Sequence, residues 1–211
     1  LLALAQRDLK RMLAYSSVEN IGIVALGIGL GMLGVQAGSP VVAALGFAGG
    51  LLHVLNHALF KGLLFLGAGA VVHGAGTRHL ERLGGLLKRM PWTGATFLVG
   101  SVAICGLPPF NGFASEFLVY AGSFKSILST GTAALGGVLA VVALALIGGL
   151  AAACFAKAFG IVFLGEPRTT VAAAAHEVDG TMRGPMLVLA ALCLAIGLGA
   201  GAVVRFMAPA V

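Results

Sequence analysis

The chain has 211 residues, of which 59% are hydrophobic and only 9% are charged. About a quarter of the residues in a soluble domain are charged, so the composition excludes a soluble domain and indicates an integral membrane protein. The net charge of +6 does not indicate a nucleic-acid partner, because the basic residues cluster at the ends of apolar segments, where membrane proteins carry their orientation signals.

Five segments are apolar enough to cross a bilayer, which takes about 20 residues. They lie at residues 13–33, within 41–72, at 91–124, within 132–164 and at 185–207. The third segment contains Gly106, Pro108, Pro109 and Gly112, and these residues predict a break in the helix. The sequence therefore predicts an all-α polytopic membrane bundle of about five transmembrane helices, the third one discontinuous.

The chain starts at Leu1, and "LLALA" reads as the tail of an earlier helix, so we expect a fragment that lacks its N-terminal part. The cysteines Cys105, Cys154 and Cys193 are widely spaced in apolar runs and form no CxxC motif. They indicate neither a disulfide framework nor a metal site, and we interpret them as small buried hydrophobic residues.

The loop charges support five crossings. With that number, nine cations fall on one side, and only Lys125 and Arg205 fall on the other. The nine are Arg7, Lys10, Arg11, Arg78, Arg82, Lys88, Arg89, Arg168 and Arg183. The positive-inside rule makes their side cytoplasmic and leaves the C-terminus outside. We expect a short interfacial helix in the connector at residues 73–90 and a mobile connector at residues 165–185.

Six ionisable residues remain at membrane depth. An ionised group at the bilayer centre costs about 2.5–3.5 kcal/mol on insertion scales, so such groups mark ion pathways by default. This number of them disfavours a simple membrane anchor. They are Glu19, His53, His57, Lys61, Glu116 and Lys157.

His53, His57 and Lys61 are spaced four residues apart and therefore share one helix face. Histidine titrates near neutrality, and a buried lysine changes its protonation readily, so the stripe is typical of a proton relay. Two alternatives stay open. A metal site lacks a third ligand in the local sequence, and purely structural histidines require no ion transport.

Each of the other three groups has a functional and a structural interpretation. Glu19 shares a helix face with Ser16 and Asn20, and it belongs either to a pathway or to a local hydrogen bond near the interface. Glu116 follows the predicted break, where ion transporters build sites, or it is an interhelical ion-pair partner. Lys157 belongs to the pathway or extends its ammonium group to the membrane surface.

Four blocks in this order resemble a known family: "DLKRMLAYSSVENIG", "LLHVLNHALFKGLLFLGAGAV", "GGLLKRMP" and "GLPPFNGFASEFL". The family comprises the proton-conducting, antiporter-like membrane subunits of respiratory complex I, multisubunit cation/proton antiporters and membrane-bound [NiFe] hydrogenases. "PPFNGFASE", followed by "AKAFGIVFLGEPR", is most similar to the large membrane subunit of hydrogenase-4 and formate hydrogenlyase.

The resemblance implies a core of fourteen helices with two inverted five-helix repeats. Residues 1–211 would be the second repeat, without most of its first helix, plus the final helix. Glu19 takes the place of the carboxylate of the second half-channel, while His53, His57 and Lys61 fall on the central relay. Glu116 matches the outlet position.

The resemblance also implies a function. The chain would be a proton-translocating subunit of a redox-driven complex in a bacterial or archaeal plasma membrane, with other membrane subunits and lipid as partners. It would have no active site, metal or cofactor of its own, because no residues for quinone, nickel or an iron–sulfur cluster are present. The alternative is a subunit of a cation/proton antiporter, with H⁺ or Na⁺ as the transported ion.

Overall fold

A computed structural model describes residues 1–207, the last two by their backbone alone. The described residues are helical, without a β-strand. The α-helices are α1 (Leu9–Gln36), α2 (Pro40–Ala75), α3 (Pro91–Ile104), α4 (Asn111–Ile127), α5 (Gly131–Phe163), α6 (Thr170–Ala173), α7 (Gly180–Leu198) and α8 (Ala200–Met207). Within this part of the chain, α1, α2, α5 and α7 are each long and apolar enough to cross a membrane. The predicted all-α polytopic bundle is confirmed.

Polar caps explain why two helices begin earlier than their apolar spans. The carboxylate of Asp8 accepts a hydrogen bond from the backbone N–H of Arg11 at 3.0 Å, so α1 starts four residues before residue 13. Asp179 caps α7 in the same way through Met182 N, so α7 starts five residues before Pro185. The predicted fifth helix is also not continuous to residue 207, because Gly199 separates α7 from α8.

Backbone hydrogen bonds join several segments at one end of the bundle, here called the connector end. This end contains the starts of α1, α3 and α7 and the ends of α2 and α5. Leu9 N donates to Arg78 O at 3.0 Å, Gly85 N to Leu164 O at 2.9 Å, and His176 N to Gly74 O at 3.3 Å. The nine cations predicted to share one side all lie in segments at this end. The α1–α2 and α4–α5 turns form the opposite end, here called the hairpin end.

Helices α3 and α4 together make one crossing. α3 starts at the connector end, while Ser126 near the end of α4 donates to Ala133 O of α5 at 2.7 Å, at the hairpin end. Residues 105–110 separate the two helices, as the sequence predicts. Gly106 ends α3 with a φ of +63°, a conformation that favours glycine. Gly112 lies inside the first turn of α4 instead of in the break itself, and a methyl group there would overlap Ala103 O.

The connector at residues 165–179 contacts the connector at residues 76–90 through several hydrogen bonds, among them Thr169 Oγ1 to Arg82 O at 2.8 Å. Lys88 pairs with Glu166 at 2.6 Å, and this hydrogen bond holds the pKa of Glu166 below its ordinary value. Arg89 Nε donates to Ala173 O at 2.9 Å. The connector at residues 76–90 contains two 3-10 turns, Leu80–Arg82 and Leu86–Lys88, where a short interfacial helix is predicted.

Glycines bring the backbones of α1 and α2 into direct contact toward the hairpin end. A methyl group at Gly27 would overlap Gly50, and one at Gly34 would overlap the backbone of Ala43. Small residues allow such close approach in membrane helices. The contact fixes the position of α2, which carries the predicted relay.

Candidate functional site: a polar chain across three helices

The stripe of His53, His57 and Lys61 lies in the interior of the bundle, along α2. His53 is fully buried, Lys61 is 5% exposed, and His57 is half-buried. Among the described residues, no three His, Cys, Asp or Glu side chains are grouped so that they could hold a metal ion. His53 and Lys61 meet hydrogen-bonding partners from other helices.

Lys61 binds to α1. Its Nζ donates to Leu13 O and to Ser16 Oγ, both at 2.6 Å. A buried ammonium group without partners would be very costly, and these two short bonds replace part of its lost hydration.

His53 joins α1 to α4. Its Nδ1 lies 2.9 Å from Ser115 Oγ of α4, and its Nε2 lies 3.2 Å from Asn20 Oδ1 of α1. Both ring nitrogens are thus engaged with side chains from different helices. One imidazole therefore connects two helices that flank α2 on either side.

One further bond, within α1, lies between the contacts of Lys61 and those of His53. Asn20 Nδ2 donates to the backbone carbonyl of Ser16 at 2.8 Å, so hydrogen bonds run from Ser16 O through Asn20 and His53 to Ser115. Lys61 adjoins this series at Ser16 through a different atom, the hydroxyl oxygen. We call these five residues the polar chain. Because an amide and a backbone carbonyl do not relay protons, proton transfer between Lys61 and His53 requires water beside the polar chain.

Asn56 fixes the start of α4 against this chain. Its Nδ2 donates to Asn111 O at 2.7 Å and to Ser115 Oγ at 3.0 Å. Because Asn111 is the first residue of α4, Asn56 attaches the half-helix to α2 directly beyond the break. Ser115 is thereby held within reach of His53.

The two carboxylates lie beside the polar chain. Glu116 is 9% exposed, and its carboxylate occupies the space that a side chain at Gly106 would take. Glu19 lines a groove of about 410 Å³, together with Leu1, Tyr15 and Ile147. Ion pairs within 4 Å in residues 1–207 involve neither carboxylate. His53 thus bonds to Asn20 and Ser115, the sequence neighbours of Glu19 and Glu116, instead of to the carboxylates.

Lys157 lies apart from the polar chain. Its Nζ donates to Leu4 O at 2.7 Å and to Gln6 O at 3.3 Å, near the connector end. The ammonium group is therefore satisfied by backbone carbonyls that immediately precede α1.

Several buried polar atoms next to the chain have no protein partner. Buried polar groups are almost always hydrogen-bonded, often to an ordered water, so these atoms identify positions suited to water. They are Glu19 Oε1, His57 Nε2, Asn56 Oδ1 and Asn111 Oδ1. Water at these atoms would bring His57 and Glu19 within reach of the polar chain.

Sequence reasoning missed Asn56, Asn111 and Ser115. The spacing of Asn56 from His53 is three residues, so a face-by-face reading of α2 could have included it. Ser115 and Asn111 could not be paired with α2 from the sequence, because they meet it only after the break has redirected the chain. Their presence inside the block "PPFNGFASE" is the signal that was available.

The sequence also matches a known protein family. Residues 1–143 match the family described as NADH:quinone oxidoreductase/Mrp antiporter, transmembrane. The chain belongs to this family. The resemblance inferred from the four sequence blocks is confirmed, and the polar chain lies entirely within the matched residues.

Two relatives come from Escherichia coli (strain K12). Hydrogenase-4 component B is 50% identical over 201 residues, which cover 95% of this chain and 30% of that protein. Formate hydrogenlyase subunit 3 is 45% identical over 203 residues, covering 93% of this chain and 32% of that protein. The chain thus spans about a third of the length of these relatives.

A solved structure has the same fold. A chain of respiratory complex I from Thermus thermophilus with bound NADH superposes with a TM-score of 0.77 and 28% sequence identity. The match covers 99% of this chain and 39% of that chain. The interrupted third crossing and the polar chain thus occur in a fold that a respiratory complex also uses.

Proposed function

We propose that this protein is a proton-translocating membrane subunit of a redox-driven complex of the hydrogenase-4, formate hydrogenlyase or complex I type. One observation carries the proposal: a buried ammonium, a buried imidazole and a hydroxyl lie in one row of polar contacts across three helices of an apolar bundle. Ionisable groups at this depth are costly to bury and mark ion pathways by default.

In this proposal, Lys61 and His53 are the proton carriers of the polar chain, and His57 joins them through water. Glu19 and Glu116 lie at the two sides of the chain, on α1 and α4, and exchange protons with it. Lys157, near the connector end, would be the pathway residue closest to the cytoplasm. The break at Gly106, Pro108, Pro109 and Gly112 directs Glu116 inward.

The same core also suits a subunit of a monovalent cation/proton antiporter, which the family description includes. The two functions differ in what drives the proton. A redox-driven subunit moves H⁺ only while electrons flow through its partner subunits, whereas an antiporter exchanges H⁺ against an imposed Na⁺ or K⁺ gradient. Vesicles given either an electron donor or a cation gradient separate them.

The orientation follows from charge. With nine cations at the connector end, we propose that this end faces the cytoplasm of a bacterial or archaeal cell and that the chain after α7 runs toward the outside. The C-terminus itself, residues 208–211, lies outside the described residues. The proposal also takes the chain to be the second repeat of a larger subunit, plus its final helix.

Substituting Lys61 by Met in the complete subunit tests the function. Methionine keeps most of the side-chain volume and removes the proton-carrying group, so we expect proton uptake into vesicles to fall at least tenfold. Assembly should survive, because replacing a buried charge by an apolar residue is often neutral or stabilising. The measurement is proton uptake per assembled complex.

Two variants complete this test. His57→Ala should lower uptake less than Lys61→Met, because water can replace a half-buried imidazole. Val54→Ala, on the exposed face of α2, is the matched control and should leave uptake unchanged. Wild-type uptake by the Lys61→Met variant would contradict the proposed function.

A further inference from the structure

Ser115 has more contacts than a hydroxyl group has protons. Its Oγ lies 2.9 Å from His53 Nδ1, 3.0 Å from Asn56 Nδ2 and 3.0 Å from Gly112 O. Asn56 Nδ2 is a donor, so Oγ accepts from it. The one hydroxyl proton is then left for either of two acceptors, Gly112 O or His53 Nδ1.

The other side of the imidazole has a fixed role. Asn20 Nδ2 donates to Ser16 O, which turns Asn20 Oδ1, an acceptor, toward His53 Nε2. Nε2 therefore carries a hydrogen whether the ring is neutral or charged. Only Nδ1 is left to gain or lose a proton, and Nδ1 faces Ser115.

Two arrangements satisfy every one of these contacts. When His53 is neutral, the hydroxyl of Ser115 donates to Nδ1. When His53 is an imidazolium, Nδ1–H donates to Ser115 Oγ, and the hydroxyl turns to Gly112 O. The two arrangements differ by one proton on the ring and by a rotation about one C–O bond, while the heavy atoms keep their positions.

We propose that Ser115 is a further residue of the proton pathway, whose hydroxyl rotates between Gly112 O and His53 Nδ1 each time His53 releases or takes up a proton. A proton that arrives through a water molecule, for which the unpartnered Asn56 Oδ1 beside Ser115 offers a site, passes to Ser115 Oγ while the hydroxyl hydrogen passes to Nδ1, so the serine ends with one hydrogen. Release reverses the two transfers. Nothing is oxidised or reduced. This inference rests on the proposed function and deepens it.

The titratable groups around this site are distributed over several helices. Glu19 lies on α1, His57 and Lys61 on α2, and Glu116 on α4. Lys157 and Cys154 lie on α5, Cys105 follows α3, and Cys193 lies on α7. Among these, none is a recorded hydrogen-bond partner of His53 in the described residues, whereas Ser115 is. The hydroxyl is therefore the group that directly senses protonation at Nδ1.

The pair Ser115→Thr and Ser115→Val tests the inference, because threonine and valine have nearly the same shape and differ by a hydroxyl in place of a methyl group. We expect Ser115→Thr to retain at least half of the proton uptake per assembled complex, and Ser115→Val to lose at least tenfold. A purely structural role for Ser115 predicts equal uptake by the two variants. Ser115→Ala, which adds no bulk, should behave as valine does.

Ser123→Ala is the matched control, since Ser123 is a buried serine of the same helix whose Oγ only donates within α4, to Val119 O at 2.7 Å. It should pump as the wild type does. Equal uptake by Ser115→Thr and Ser115→Val, or wild-type uptake by Ser115→Ala, overturns the inference. If Lys61→Met abolishes uptake and Ser115→Val does not, the role of Ser115 fails alone, and if neither lowers uptake, the proposed function fails.

Discussion

Individual side chains attach the broken third crossing to its neighbours. Asn56 is fully buried in α2 and uses both of its amide hydrogens on α4, at Asn111 O and Ser115 Oγ. Because these bonds join positions on either side of the first turn of α4, they determine where that half-helix starts. The alignment of Ser115 with His53 therefore depends on an amide that is not itself a proton carrier.

We expect Asn56→Leu to destabilise the protein by about 1–3 kcal/mol, because two buried hydrogen bonds are lost while the side-chain volume is nearly kept. The check is the thermal unfolding midpoint of the purified complex in detergent. Leu55→Ala, a neighbouring and more exposed position, is the control and should shift the midpoint little. An unchanged midpoint for Asn56→Leu would show that these bonds carry no net stability.

The stripe on α2 was predictable from residue spacing, because four-residue steps place His53, His57 and Lys61 on one face whatever the partners are. Their partners were not predictable. Lys61 meets Leu13 O and Ser16, although electrostatics alone favours a direct contact with Glu19. The choice between a carboxylate and its neighbour depends on the rotation of α1, which interhelical packing sets.

At the scale of helices, α7 supports the break from outside. A methyl group at Gly197 would overlap Pro109 O and the backbone of Phe110, so α7 packs directly on the peptide units that precede α4. Asn56 holds the first turn of α4 from α2, and Gly197 limits it from α7. The position of the half-helix is thus set by two neighbouring helices.

Gly197→Val should displace the start of α4 and cost about 1–3 kcal/mol through overpacking. We expect lower thermal stability, together with reduced proton uptake, because Ser115 moves relative to His53. Gly184→Val is the matched control on the same helix, where nothing lies within 4 Å of an added methyl group. If both variants behave alike, α7 does not position the break.

The N-terminus of α3 is capped by a residue far away in the chain. Glu177 accepts hydrogen bonds from Trp92 N at 2.8 Å, Thr93 N at 3.2 Å and Thr93 Oγ1 at 2.6 Å. The carboxylate satisfies free N–H groups of the first turn and also lies at the positive end of the helix dipole.

Removing this cap with Glu177→Ala should lower the stability by about 0.5–2 kcal/mol, as other cap removals do. Glu177→Gln keeps an acceptor oxygen and should cost less. Limited proteolysis of the connector at residues 165–179 provides the measurement, with faster cleavage expected for the alanine variant. Glu166→Gln, which affects only an exposed ion pair, should be cleaved at the wild-type rate.

The break itself could be predicted from Gly106, Pro108 and Pro109, since these residues act through local backbone geometry. The packing of the connector at residues 165–179 could not be predicted. Its contacts, such as that of Glu177 with Thr93, join residues far apart in the chain, and no periodicity within the segment indicates them. The division at Gly199 was missed because apolar residues continue on both sides of it.

For the whole molecule, the two ends differ in charge, and this difference predicts orientation. In a variant without the native cysteines, Thr77→Cys and Thr170→Cys at the connector end should resist an impermeant thiol reagent added to intact cells and react after lysis. Thr132→Cys, exposed at the hairpin end, should react from outside. Ready labelling of Thr77→Cys or Thr170→Cys in intact cells would reverse the assigned orientation.

The glycine contact between α1 and α2 has a consequence for insulation. Where Gly27 meets Gly50 and Gly34 meets Ala43, even a methyl group does not fit, and a water molecule is larger than that gap. A row of water molecules therefore cannot run between α1 and α2 toward the hairpin end. In the proposed pathway, a proton at His53 therefore has no direct route along the contact between α1 and α2. The close contact of α1 and α2 would thus insulate the proposed pathway on this side and leave the side of α4, beside Glu116, as its route.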